Sequence, residues 1–127
     1  MPAQPGRFAA ALLVALALGC ASTNTRPGPQ VDLITDGQIQ AGHFLNAYDA
    51  VQALHAAWML NRGVTSTVMT DRVVVYRDGV RLGGIEELRD IPIGDVRYIR
   101  HYDGNEASAR WGLDHAQGAI VVSTHPL

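Results

Sequence analysis

The stretch VVVYRDGVRL, Val73 to Leu82, constrains the fold more than any other part of the chain. Its first half is β-branched and aromatic, which favours a strand. Asp78-Gly79 supplies what a two-residue type I′ turn needs, since both central positions take positive φ. Val80 to Leu82 then returns. Two antiparallel strands must lie side by side here, and the remaining elements have to pair with them or pack on them. Gly83-Gly84 breaks the second strand, and Glu86 to Asp90 suits one short helical turn. Ile91-Pro92 closes that turn, because proline disfavours helix at the residue before it.

Upstream, VDLIT (31–35) reads as a short strand. Thr35 and Gln38 have the spacing of a capping box, so a brief helix is expected to start there and stop near Gly42. Asn46 caps a second helix, NAYDAVQALHAAWML, with Asp49 in its first turn. Ala47, Val51, Leu54 and Trp58 fall on one face of that helix, and Gly63 marks its end. Downstream, Asp95 opens a strand segment with the core VRYIRHY. Ile99 and His101 share one face; Tyr98, Arg100 and Tyr102 share the other. Asp103-Gly104 ends the strand, Asn105 caps a small helix EASARW, and Gly112 terminates it. GAIVVST forms a last buried strand, ended by Pro126. The expected fold class is α+β, a small mixed sheet of about four strands with two or three short helices.

The N-terminus reads differently. MPAQPGR carries one positive charge, Arg7, and an uninterrupted apolar run follows from Phe8 to Leu18. That run is too short for a bilayer span, which takes about 20 apolar residues, and has the length of a signal-peptide core. Ala17-Leu18-Gly19-Cys20 resembles the lipobox of bacterial lipoproteins, with Ala17 where leucine is commoner. Cys20 is the only cysteine in the chain, so no internal disulfide can form. The lipoprotein resemblance implies that the Cys20 thiol is acylated and becomes the new N-terminus. Such an anchor is strong, because each buried CH₂ contributes about 0.8 kcal/mol. Asp after the cysteine is the usual inner-membrane retention mark of such lipoproteins; here Ala21 follows, which implies the outer membrane. ASTNTRPGPQ (21–30) has two prolines and mostly small polar residues, the composition of a tether. The expected organisation is a signal peptide over 1–19, a lipidated cysteine and tether over 20–30, and one folded domain over 31–127.

The order of strand, hairpin, helical turn, strand, small helix and strand resembles the plug domain of TonB-dependent outer-membrane receptors. Plugs carry DG-x-x-x, then L-x-x-IP-x-x-x-I-x-x-I-E-V-x-x-G, a small-residue helix ending in aromatic-Gly, and G-x-I-x-I-x-T. This chain has DGVRLGG, LRDIPIGDVRYIRHYDGNEASARWG and GAIVVST, and ITDGQIQAGHFLNAYDAVQAL resembles the plug's opening. The similarity runs over nearly all of Leu33 to Thr124. Departures from the pattern limit what it implies. A receptor's barrel follows its plug, whereas this sequence stops at Leu127. A TonB box has no counterpart in ASTNTRPGPQ. Tyr102-Asp103-Gly104-Asn105 replaces the usual basic Arg-Gly-Pro, and His101 takes an inward position normally held by an aliphatic residue. The expectation is a stand-alone, lipid-anchored plug-like module that is not an energised transporter by itself. Its expected partners are the membrane, through the acyl anchor, and an outer-membrane barrel or another envelope protein.

Composition and motifs bear on the other classes. With 127 residues and a net charge of −2, the chain carries no nucleic-acid footprint. Among His43, His55, His101, His115 and His125, none pairs at the i, i+4 spacing of a helical zinc site, and no HExxH occurs. Glu86-Glu87 diverge around a turn, and the aspartates at 71, 78, 90, 95 and 103 sit where turns want them. Gly83-Gly84 lacks the lysine and spacing of a phosphate loop. No catalytic residue, metal ligand or cofactor is therefore expected, and Cys20 is the one site residue assigned. The alternative reading is a small periplasmic metal-binding protein or enzyme of undetected mechanism.

Overall fold

The computed structural model describes residues 32–60 and 72–127. The signal peptide, Cys20, the tether and Gly63 of the sequence reading lie outside these residues. The described chain is α+β, with one mixed sheet of five strands: β1 (Leu33–Ile34), β2 (Val74–Arg77), β3 (Val80–Gly83), β4 (Tyr98–Tyr102) and β5 (Ala119–Ser123). The strand count is one above the expectation because two residues, Leu33 and Ile34, suffice to pair with β4. The helices are α1 (Asp36–Ala41), α2 (Ala47–His55) and α3 (Gly104–Trp111), with several 3₁₀ turns between elements.

Strand order is β1-β4-β5-β2-β3. β5 sits in the centre, antiparallel to β4 and parallel to β2. A central strand buried on both faces is expected to be a near-continuous apolar run, as AIVVS is. The hairpin forms as predicted: Asp78 has φ 48° and Gly79 φ 85°, the signature of a type I′ turn. Asp78 has a second task that the turn alone does not reveal. Its carboxylate accepts from the Thr124 backbone N–H (2.9 Å) and hydroxyl (2.8 Å), fastening the hairpin tip to the end of β5. These bonds, the backbone one foremost, hold the Asp78 carboxyl below its ordinary pKa.

The helix starts follow their capping residues. Gln38 N–H donates to Thr35 Oγ1 while Gln38 Oε1 accepts from Thr35 N–H, completing the capping box. Asn46 Oδ1 caps α2 by accepting from Asp49 N–H at 2.9 Å. Two expectations are corrected. The cap of α3 is Asp103, whose Oδ1 accepts from Glu106 N–H at 2.9 Å, and Asn105 lies inside the first turn. Asp103 and Glu106 have capping-box spacing themselves, and Asp103 keeps the extended backbone in which β4 ends. The apolar face of α2 is also different. Ala47, Ala50 and Val51 point into the core while Leu54 is 37% exposed. The α-helix stops at His55, whose backbone (φ −146°, ψ 57°) breaks the regular rotation. Trp58 reaches the core from the 3₁₀ turn Ala56–Met59 instead, and is 6% exposed.

The sheet divides its side chains between two faces. Ile34, Val73, Val75, Ile99, Ile120 and Val122 meet α1, α2 and the 3₁₀ turns in the main core. On the opposite face Val74, Tyr76 and Ala119 pack with Ala107 of α3 in a second, smaller cluster. Eight residues of helix, with a loop behind them, are all that this second face receives from α3.

Candidate functional site

Register builds the second face residue by residue. Arg81, Tyr76, Val121 and Arg100 pair in sequence across β3, β2, β5 and β4. On one side of that row lie Val74, Ala119 and Tyr102; on the other lie Ser123 and Tyr98. Helix α3 rests over the first of these flanks, with its Ala107 fully buried against Val74 and Ala119. Its last residue, Trp111, lies flat on Tyr76 (ring centroids 4.7 Å) and meets Tyr102 edge-on at 5.2 Å. Gly112 (φ 107°) then turns the chain away. Beyond Trp111 the sheet is left open. A groove of about 460 Å³ follows, lined by Tyr98, Tyr102, Trp111, Arg110, Val121 and Ser123, with the Asp78-Gly79 turn and His125 at its end. This volume lies within the ~300–1,000 Å³ of small-ligand sites.

Two cations are held by the rings of the groove: Arg110, which lines it, and Arg100, which stands beside it at Tyr102. Arg110 Cζ lies 5.4 Å from the Tyr102 ring centre and 5.2 Å from that of Trp111; Arg100 Cζ lies 5.3 Å from the Tyr102 ring. Attraction to the negative ring faces fixes the guanidinium planes while leaving their N–H edges to act as donors. Among the described residues neither arginine makes an ion pair. Arg77, Arg81 and Arg97, by contrast, each meet aspartates.

Behind the groove stands a buried polar chain. Tyr76 Oη lies 2.7 Å from His115 Nε2, and His115 Nδ1 lies 2.8 Å from Asp114 Oδ1 and 3.2 Å from Gly112 O. Both neighbours of Nδ1 are acceptors, so Nδ1 carries the proton and Nε2 accepts from the Tyr76 hydroxyl. Arg81 completes the chain, donating to Asp114 at 2.8 Å. That contact and the histidine keep the Asp114 carboxyl below its ordinary pKa, with the arginine hydrogen bond foremost. Asp–His–hydroxyl order resembles a nucleophile relay, but the chemistry runs the other way. Burial raises the Tyr76 pKa, so its phenol is less able to release a proton than a free tyrosine. The chain is a hydrogen-bonded pin between β2, β3 and the turn after α3.

On the other face a second ring cluster closes the core. Trp58 lies between His55 (4.2 Å, 2° between planes) and His101 (5.2 Å, 10°), and His101 Nδ1 donates to Asp32 at 3.4 Å. Desolvation is the chief cause that lowers the His55 pKa, helped by His101 and opposed by Asp32.

Cys20, the one site residue assigned from the sequence, lies outside the described residues. Of the five histidines, His115 is buried and bonded, His55 and His101 stack on Trp58, and His43 and His125 are exposed. His115 is only 1% exposed, a depth that no spacing in the sequence indicates. Its partner, Tyr76, is 39 residues away, a separation that no local pattern bridges. Among the described residues no three His, Cys, Asp or Glu side chains are grouped to hold a metal ion, and no helix is long and apolar enough to cross a membrane. The groove itself was half legible: Tyr98, Arg100 and Tyr102 share a strand face in the sequence, but nothing there shows that α3 leaves them open. No protein-family model matches the chain. No curated protein matches it significantly either.

Proposed function

We propose that the protein is a lipid-anchored, plug-like binding module of the bacterial outer membrane, tethered through Cys20 with its domain facing the periplasm. It is not an energised transporter by itself. The single observation that carries the binding role is the half-covered sheet: α3 shields Val74, Ala119 and Tyr76, while Tyr98, Val121, Tyr102 and Arg110 line an open groove. A sheet that needed only stability would gain by covering this surface, since each Å² of apolar area removed from water contributes about 25 cal/mol. Anchoring rests on the leader, the lipobox-like Ala17-Leu18-Gly19-Cys20 and the polar tether, which would hold the groove clear of the headgroups.

Two measurements test the two halves of this reading. Labelled palmitate is expected to enter the wild-type chain in cells and not Cys20→Ala; no label in the wild type removes the anchor. A photoreactive amino acid replacing Tyr98 in the full chain is expected to give a defined adduct in intact envelopes. The same group at Gln52, exposed on α2 away from the groove, is expected to give none. Equal products from both positions, or none from either, would remove the groove as the binding surface.

A further inference from the structure

We infer that the groove takes a small acidic saccharide, with its oxyanion held at Tyr102 by Arg100 and Arg110 and its rings against Tyr98 and Tyr102. This rests on the groove being the binding surface. Three features of the site choose the ligand class together. The first is charge. Arg100 and Arg110 both lie over Tyr102, at 5.3 and 5.4 Å, and neither meets a carboxylate among the described residues. Glu106 stands one helical turn before Arg110 on α3, at i, i+4 spacing, and still makes no ion pair with it. Asp78, the carboxylate at the far end of the groove, is occupied by both donors of Thr124. The site therefore offers fixed, unneutralised guanidinium donors, which suit a carboxylate or phosphate group.

The second feature is shape and lining. Tyr98 and Tyr102 lie four residues apart on one strand face, with Arg100 between them, so the three side chains stand in file along β4. Both tyrosines remain partly exposed, as does Trp111 beside them. Aromatic side chains offer apolar faces to the C–H side of a sugar ring, while the exposed His125 at the groove provides an imidazole for its hydroxyls. The third feature is size. About 460 Å³ accommodates one or two sugar rings, and it is small for a folded partner, which needs roughly 800 Å² of buried surface on each side. Tyr76 and Trp111 are positioning residues in this scheme. The pin from Tyr76 to His115 and Asp114 fixes the ring on which Trp111 rests, and Trp111 in turn holds Arg110.

Calorimetry on the full chain in detergent tests this, with Trp111 fluorescence as a second readout. The probes are N-acetylmuramic acid, glucose 6-phosphate, and neutral N-acetylglucosamine and glucose. An acidic sugar is expected to bind at least tenfold more tightly than its neutral counterpart, and the preference should shrink as salt rises. Whether the carboxylate or the phosphate probe binds tighter identifies the source of the anion. Arg100→Gln and Arg110→Gln, both on exposed side chains, are each expected to erase most of the acidic preference while leaving the melting temperature within about a degree. Tyr98→Ala is expected to weaken acidic and neutral sugars alike. Equal affinity for acidic and neutral probes, tighter binding of inorganic phosphate alone, or unchanged preference in both arginine variants would overturn the ligand class. So would a peptide or protein as the species crosslinked from position 98. If sugars fail while the Tyr98-specific adduct persists, the ligand class falls and the binding module stands; if the adduct is missing as well, both fall.

Discussion

Asp78 and Gly79 show how one dipeptide serves two scales. Gly79 sits at φ 85°, and a Cβ built there would meet no atom within 4 Å. Any penalty at this position is therefore conformational rather than steric crowding by neighbours. Gly79→Val is expected to destabilise the domain by about 1–2 kcal/mol, because a β-branched residue fits the left-handed region worst. Gly79→Asn is expected to melt close to the wild type, since Asn visits that region with little strain. Thermal denaturation of the three proteins side by side checks this, and equal melting of all three contradicts the turn. Asp78 adds an acid dependence. Its folded pKa lies below the ordinary 3.8 of an aspartate, so its contribution is present above that pH and is lost as pH falls through the depressed value. Asp78→Ala is expected to lower the melting temperature at neutral pH and to flatten its fall in acid.

At the scale of elements, two contacts decide how helices meet the sheet. Trp58 joins the end of α2 to β4 through its stack between His55 and His101. Trp58→Ala is expected to cost about 3–5 kcal/mol, the usual range for a buried large aromatic. Burial lowers the His55 pKa below 6.5, so the neutral ring is favoured in the fold. This contribution is present above pH 6.5 and is lost as pH falls below it toward the folded value. Melting temperature is expected to drop between about pH 7.5 and pH 5.5, and to drop less in His55→Gln. Across the sheet, the Tyr76–His115 bond ties β2 to the turn after α3 at 2.7 Å. His115→Phe strands a buried phenol and is expected to cost about 1–3 kcal/mol. Adding Tyr76→Phe is expected to restore part of that loss, because removing both partners costs less than orphaning one. A strictly additive double-mutant cycle in urea would show that the bond carries no coupling. Gly104 at the start of α3 is fixed for a different reason: a Cβ there would collide with the Ala116 carbonyl oxygen, so helix and following turn approach only with glycine between them.

For the whole molecule, the described core spans from Ile34 to Val122 and closes on itself. Residues 31–127 without leader or tether are expected to fold as a monomer of modest stability, since a domain of this size buries only about 60–65% of its unfolded surface. A cooperative urea transition and a monomeric sedimentation profile are the expected outcomes; an unfolded spectrum would show that the domain needs a surrounding partner. What the sequence determined by itself was local. Chain chemistry that acts over three or four residues, such as the Thr35–Gln38 box, the Asn46 cap and the Asp78-Gly79 turn, was legible because each partner lies within the same few residues. The alternation of Ile99 and His101 against Tyr98 and Tyr102 was legible for the same reason, and with it the α+β class. Where local rules competed, the reading slipped: Asn105 was preferred to Asp103, and Trp58 was placed on the α-helical face because the break at His55 leaves no mark in the helical periodicity. Tertiary structure alone decided the rest. β5 became the centre of the sheet by pairing with β4 and, in parallel, with β2 from more than forty residues away. Tyr76 found His115 over a similar distance, and the short α3 covered one half of a sheet face and left the other half open. Such contacts depend on how elements of fixed length stack against one another, and that geometry is set by the summed packing of the core, which no local spacing of residues encodes.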